Sequence, residues 1–418
     1  MDPILHEWGG FLIRWTHVVT AIAWIGASFY FMHLDASLRS IAEIPDGKGG
    51  EAWEVHGGGF YQVRKYLIAP DRMPDHLIWH KWQSYATWLS GFALLCWLYY
   101  AQAELYLIDP AVRQITPLVG AIVGIGALAV GWLIYDGLNR SPLANRPLLL
   151  SGIVFLVVLA FAFGFQQVFS GRAAMLHTGA VIATWMTANV FFVIMPNQRK
   201  AIAELVAGRV PDPAWGKQAK NRSAHNNYLT LPVVFFMLSG HYPLVWSTPY
   251  TWTIIGLVVV AGGVVRHFFN VRHAGKGDPW WAWAVAAACI MLAVTITVVS
   301  APGAQDRLGL ASAAAASGAA TPGATASSHL AALRVPAADE DVVTIVASRC
   351  SMCHAPEPLW PGLASPPKGV LLDTPENIAR FADAIRVQAV LTHAMPPNNI
   401  TDMQPEERAT LGRYLQGR

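Results

Sequence analysis

The sequence predicts an all-α fold: an eight-span transmembrane helical bundle joined through a linker to a small helical domain. Three observations predict it. The 418 residues are 54% hydrophobic and only 13% charged, against roughly a quarter charged in an average soluble domain. Eight apolar runs are each long enough to cross a bilayer, which takes about 20 residues. Beyond the last run the composition changes twice, first to Ala, Ser, Gly and Pro and then to an ordinary polar mixture. Seventeen tryptophans and twelve tyrosines suit the aromatic belts at the two faces of a bilayer. A net charge of +3 is too small to point to a nucleic-acid partner.

The expected spans are 11–34, 79–101, 115–135, 148–169, 174–196, 227–246, 250–270 and 280–300. The opening MDPILHEWGG lacks the basic start and small-residue cleavage site of a removable signal, so the first span is expected to stay in the membrane. Spans four and five are separated only by Ser170–Ala173, and Pro232 and Gly240 interrupt span six. Orientation follows from where the basic residues fall. Alternate loops hold Arg39, Lys48, Arg64, Lys65 and Arg72; Arg140 and Arg146; Arg199, Lys200, Arg209, Lys217, Lys220 and Arg222; and Arg272 and Lys276, while the opposite loops offer only Arg113 and Arg172. Both termini are therefore expected outside the cytoplasm.

Residues 1–300 thus form the transmembrane domain. Residues 301–336 are too poor in large apolar side chains to bury a core and read as a flexible tether. The remaining domain, 337–418, is expected to hold helices at 339–350, 375–392 and 404–416, with Thr374 capping the second and Gln404-Pro405-Glu406-Glu407 opening the third.

That last domain contains Cys350-Ser351-Met352-Cys353-His354, the C-x-x-C-H pattern that attaches a c-type haem. The two thiols bond the vinyl groups and His354 takes the iron. Met395, in Met395-Pro396-Pro397, is placed to be the sixth ligand and to raise the potential. Three helices suffice for a small α-helical cytochrome c domain. A zinc site would need two further ligands, and a thiol redox pair would need a βαβ context. Haem joins such motifs outside the cytoplasm, in agreement with the charge count. Cys96 and Cys289 lie in apolar runs and read as small hydrophobes.

Span one, THVVTAIAWIGASFYF, and span five, LHTGAVIATWMTANVFF, align with His17 on His177. Four spans per half would give a parallel 4+4 repeat. Ionisable groups in spans are costly and usually mark function, so His17 and His177 are expected to hold an outer haem b. Interfacial hydrogen bonding is the plainer role for any one histidine at a helix end. His33, His80, His225 and His267 gather toward the cytoplasmic side, where a second haem or a substrate pocket would lie. Metal centres there make sense because a hydrocarbon core of about 30 Å separates an inner site from an outer electron carrier.

RWTHVVTAIAWIGASFYFMHLDASLR, HKWQSYATWLSGFALL, HNNYLTLPVVFFMLSGHYP and the C-terminal CSMCH together resemble the membrane-bound bacterial urate hydroxylases. In that family an eight-span domain is fused to a C-terminal cytochrome c. The resemblance covers the chain apart from the tether. It implies a multi-pass protein of the bacterial inner membrane that oxidises urate to 5-hydroxyisourate, with water as the oxygen source. Electrons would pass by one or two b haems to haem c, then to a downstream periplasmic cytochrome c or a terminal oxidase, without peroxide.

Urate is a planar monoanion, so its site in a bilayer needs a cation, a stacking ring and hydrogen-bonding amides. Arg266, Trp82, Tyr228, Asn226, Asn227 and His267 are suitable types on the inner side, and His80 or His225 could deprotonate the attacking water. The plainer view has Asn226-Asn227-Tyr228 capping span six and Arg266 snorkelling to the interface. Two other functions fit the same residues: a quinol-linked cytochrome b/c conduit, and a haem-handling membrane protein with the His17…Trp24-Ile25-Gly26 pattern.

Overall fold

The computed structural model describes residues 2–44, 49–67, 70, 73–300, 339–363 and 365–416. The expected tether at 301–336 lies outside the described residues.

Helix α1 spans Pro3–Ser37, begun by Asp2, whose carboxylate accepts from the backbone N–H groups of Ile4 and Leu5. It starts eight residues before the expected span. A β-hairpin follows, with β1 at Gly49–His56 and β2 at Gly59–Tyr66, paired antiparallel in the register His56↔Gly59. The fold is therefore mainly, not wholly, helical. Gly57 and Gly58 have φ of 60° and 80°, the two positive values that a two-residue primed turn requires.

Helix α2, Trp82–Leu94, widens into a π-helical segment at Leu95–Tyr100 and is followed by the short α3, Ala103–Tyr106. Then come α4 (Pro117–Arg140), α5 (Pro147–Gln166), and α6 (Gly171–Ala188), which runs through a π-helical segment at Asn189–Ile194 into α7 (Met195–Val206). Helix α8 occupies Pro213–Ser239, α9 Thr251–His273 and α10 Trp281–Ser300.

Among the described residues, six helices are long and apolar enough to cross a membrane: α1, α4, α5, the continuous α6–α7, α9 and α10. The other two expected spans also fold as helices, but differently from the prediction. Helix α8 begins at Pro213 rather than 227, so its first half carries Lys217, Lys220 and Arg222, and its apolarity is diluted. The stretch 82–100 is broken by the π turn.

Helix α6 is the hub of the bundle. Two-thirds of the apolar window in α6–α7 is buried, against 6% in α1. The two helices aligned by the sequence repeat therefore occupy unlike places. Trp185 on α6 has no exposed surface and stacks on Tyr135 of α4, 4.9 Å between centroids and 9° between planes. Small residues let the helices approach closely, as membrane packing demands. A Cβ on Gly179 would come within 2.8 Å of Phe236 on α8, and one on Gly262 of α9 within 2.6 Å of the Pro232 ring.

The C-terminal domain contains α11 (Asp339–Arg349), α12 (Ser351–His354), α13 (Pro375–Arg380), α14 (Ala382–Ile385) continued by a π-helical segment at Arg386–Leu391, and α15 (Pro405–Gln416). Thr374 caps α13 by accepting from Asn377 N–H at 3.2 Å. Val342, Val346, Leu372, Ile378, Ile385, Leu411 and Leu415 form its own apolar core. It rests on the bundle beside α3, where Asn398 Nδ2 donates to the Glu104 carbonyl at 2.9 Å.

Candidate functional site

Polar side chains that enter an apolar bundle must find partners, and here they form two clusters around α8. The residues His225, Asn226, Asn227 and Tyr228 are consecutive, so helical geometry turns them about 100° apart. Each meets a different neighbour. Tyr135 Oη on α4 lies 2.8 Å from His225 Nδ1. Asn226 Oδ1 accepts from Asn189 Nδ2 at 2.9 Å, and its amide donates to the Met186 carbonyl. Asn227 Oδ1 accepts from Arg266 Nε at 3.3 Å and from Asn270 Nδ2 at 2.9 Å. Tyr228 Oη lies 3.1 Å from His267 Nδ1. The quartet expected to line one pocket is thus divided between two.

The first cluster holds Arg222, which is 2% exposed. Its guanidinium donates to Asp136 Oδ1 at 2.6 Å and to Asn189 Oδ1 at 3.0 Å, and lies 5.2 Å from the Tyr135 ring centroid. Arg222 therefore belongs to the bundle interior and not to a cytoplasmic loop, as the charge count had it. Sequence reasoning missed this cluster. Asp136, at the end of an apolar run, was its one visible signal.

The second cluster holds Arg266. Its hydrogen-bond partners are the neutral amides of Asn227 and Asn270, and its guanidinium lies 4.1 Å from the Phe29 ring centroid. None of the ion pairs formed among the described residues includes it. Asn227 Nδ2, fully buried, has no hydrogen-bond partner. A cation without a counter-ion, an aromatic face and an unpaired amide donor together suit a planar anion. Trp24, Ile25 and Ser28 of α1, Met186 of α6, and Asn226 and Thr230 of α8 line a small cavity.

His80 and Trp82 stand apart from this cluster. His80 is exposed and packs edge-on to Phe31 of α1, two residues from Phe29 and so on another flank of that helix. Trp82 is 65% exposed, with Lys81 Nζ 5.7 Å from its ring.

The three expected iron-ligating histidines share one feature. His17 Nδ1 lies 2.9 Å from the Thr87 carbonyl, His177 Nδ1 2.8 Å from the Ala173 carbonyl and His354 Nδ1 2.8 Å from the Val370 carbonyl. A carbonyl only accepts, so in each ring Nδ1 carries the proton and Nε2 keeps its lone pair. This is how proteins commonly orient a metal-binding imidazole. Glycine lies against both bundle rings: a Cβ on Gly91 would come within 2.8 Å of His17, and one on Gly124 within 2.9 Å of His177 Nε2. The tautomer leaves Nε2 of all three rings as the free donor atom; at His177, which is fully buried, that atom lies 3.3 Å from Tyr100 Oη. The structure does not bring His17 and His177 together. His17 is held by α2 at Thr87–Ser90, whereas His177 meets Tyr99 and Tyr100 farther along, with Trp88 of α2 donating to Thr184 of α6.

In the C-terminal domain, Cys350 and Cys353 bracket the start of α12. Burial pushes the Cys350 thiol up to about 11 and raises Cys353 as well. A reactive thiol pair needs the opposite shift, which counts against the redox-pair alternative. Burial holds His354 below the ordinary imidazole value, so it is neutral, as a ligand must be. Arg408, 6% exposed, donates to the Met395 carbonyl at 2.8 Å and to Asn399 Oδ1 at 3.1 Å, fixing the loop that presents Met395.

These features define a mainly helical protein with several helices apolar enough to cross a membrane, buried polar clusters and a separately packed C-terminal domain. Residues 3–297 match the family model described as urate oxidase N-terminal, and the chain belongs to that family. No curated protein and no solved structure matches the chain. Membership indicates an oxidoreductase function related to urate, and the apolar helices agree with a membrane protein.

Proposed function

We propose that the chain is a membrane-bound urate hydroxylase whose bundle oxidises urate and whose C-terminal domain is a cytochrome c. The observation that carries the proposal is Arg266, buried without a counter-ion inside a bundle of the urate oxidase N-terminal family. Its partners Asn227 and Asn270 hold the guanidinium in place, and Phe29 offers the flat face. Urate and water become 5-hydroxyisourate, two protons and two electrons. Removing two electrons makes a ring carbon electrophilic, and a base near the site deprotonates the attacking water. His267, 3.1 Å from the Tyr228 hydroxyl in the same cluster, takes that role. His225, linked to Tyr135, is the alternative base on the neighbouring face of α8. The exposed His80 and Trp82 are better placed at the inner rim, where urate would enter.

Haem, when bound, supplies one-electron storage that splits the two-electron oxidation into single transfers. Cys350, Cys353, His354 and Met395 would hold haem c. His17 and His177 would hold one or two b haems, their offset along α2 favouring separate centres. The tautomers of His17, His177 and His354 support this assignment. Both termini and the cytochrome domain are proposed to lie on the periplasmic side of the inner membrane. A periplasmic cytochrome c or a terminal oxidase would then receive the electrons.

Anaerobic membranes containing the protein test the proposal. Urate should reduce the c-haem α-band within the mixing time of a slow-turnover assay. Reduction by a quinol but not by urate would overturn it in favour of a quinol-linked conduit.

A further inference from the structure

The β1–β2 hairpin turns back along the helix it follows. Near the start of β1, Gly50 packs against the end of α1, where a Cβ on it would come within 3.0 Å of Leu38 Cβ. Lys65, the partner of Gly50 in the strand register, pairs with Asp35. Farther toward the turn, Glu54 accepts from Tyr30 Oη at 2.5 Å. From Gly50 to Glu54 a strand covers about 13 Å, and from Leu38 back to Tyr30 a helix covers about 12 Å. The hairpin therefore runs antiparallel to α1, with Gly57-Gly58 pointed toward the middle of a helix long and apolar enough to cross a membrane.

Side chains alternate along strands, and the two faces differ. Ala52, Glu54 and Lys65 lie on the face toward α1, while Glu51, Trp53, Val55, Phe60, Gln62 and Arg64 lie on the other. The outward face is polar at its base, where the Glu51 carboxylate accepts from Trp53 Nε1 at 2.8 Å, Gln62 Nε2 at 2.8 Å and Arg64 Nε at 2.7 Å. Toward the turn it is apolar: Trp53, Val55 and Phe60 are 62%, 69% and 76% exposed. Contiguous apolar surface of this kind marks a contact with something other than water. The polarity falls in the same direction as in a bilayer leaflet, from ion pairs at the level of Asp35 to bare apolar side chains at the level of Tyr30 and beyond. Trp53 spans the two zones, its indole N–H tied to the polar base and its ring on the apolar side, as aromatic rings lie at membrane interfaces. The supporting helix is itself almost uncovered, with 6% of its apolar window buried, so the tip extends a surface already matched to lipid. Two strands alone leave both outer edges of the sheet with unpaired backbone groups, which the headgroup zone satisfies and the hydrocarbon core does not.

We infer that the hairpin is an interfacial membrane element whose partner is lipid: Trp53, Val55 and Phe60 insert beside α1 at the boundary of headgroups and acyl chains, in the leaflet that holds the C-terminal end of α1. This placement rests on α1 crossing a bilayer, as the proposed function has it, and not on the urate chemistry.

The full chain in vesicles of phosphatidylcholine and phosphatidylglycerol provides the test. The emission of Trp53 is read as the difference between the wild-type protein and Trp53→Phe. Lipids brominated high on the acyl chain quench from the membrane, and iodide quenches from water. Bromolipid should remove most of the Trp53 difference signal, and iodide should leave it nearly unchanged. Adding Phe60→Trp to Trp53→Phe moves the reporter to the other strand and should give the same result. Trp15, on α1 and 61% exposed, supplies the reference through Trp15→Phe, and bromolipid should quench it too. Iodide quenching at positions 53 and 60, with Trp15 still quenched by bromolipid, places the tip in water and overturns the inference. Quenching of the tip by neither agent means that protein, such as a second copy, covers it, and overturns the lipid partner. Iodide quenching of Trp15 as well takes α1 out of the bilayer and overturns the inference together with the membrane placement on which it rests.

Discussion

Arg222 and Arg266 are both buried in the bundle, yet their partners give them different work. Arg222 is neutralised by Asp136, so its pair is structural. Breaking such a pair by Asp136→Asn leaves an uncompensated buried charge and should cost about 3–5 kcal/mol, seen as a lower thermal midpoint in detergent. Joining that change to Arg222→Met should recover most of the loss, because neither charge is then stranded. Arg266 has only amide partners, so Arg266→Met should leave the melting curve near wild type but abolish urate-dependent reduction of the c haem. Unchanged turnover would remove Arg266 from the site. Arg408 is a third case: it ties the Met395 carbonyl to Asn399. Arg408→Leu should weaken the methionine–iron absorption band and lower the potential, with Arg408→Lys intermediate. Arg266 could be recognised in the sequence because it interrupts an apolar run. Arg222 could not, because it stands in a polar stretch and its partner lies 86 positions earlier.

Among the elements, α8 separates what sequence proximity had joined. Four neighbouring polar residues on a helix cannot share a pocket, and their partners on α4, α6 and α9 became known only with the packing. The hairpin went unread although Gly57-Gly58 between alternating segments is a direct turn signal. The start of α8 at Pro213 was hidden because hydropathy measures apolarity, and the helix is half polar. Close approach of α4 and α6 yields a clean prediction. Glycine to alanine inside a helix ordinarily gains about 1 kcal/mol. At Gly124, however, the new Cβ would lie 2.6 Å from Tyr100 Oη and 2.9 Å from His177 Nε2. Gly124→Ala should therefore destabilise the bundle and diminish any b-type band while the c band remains, as reduced-minus-oxidised spectra would show.

At the level of the whole molecule, two packed units meet through a small contact between α3 and the loop after Met395. The C-terminal domain has its own apolar core, so a chain ending before residue 337 should still fold in the bundle. Such a truncation should keep a b-type spectrum and lose the c-type one; absence of any b-type band would remove the membrane haem. Composition pointed to a two-part organisation, since the apolar runs end at 300 and the C-x-x-C-H pattern begins at 350. Height within the bundle was not visible. His17 and His177 align in sequence, but α1 begins at Pro3 and α6 at Gly171, which places them about 21 Å and 9 Å along their helices at 1.5 Å per residue.

Pro232 sits inside α8 with its ring against Gly262 of α9. A proline has no N–H to give to the residue four places earlier, and that residue is Tyr228. The carbonyl of Tyr228 is thereby relieved of its usual helical donor, in the turn that faces His267 and adjoins Asn227. In the proposed urate site, Arg266 and Asn227 Nδ2 would answer only the oxygens of a purine anion, and the freed Tyr228 carbonyl would be an acceptor for its ring N–H groups. That contact would survive any side-chain substitution at Tyr228 and be lost on replacing Pro232.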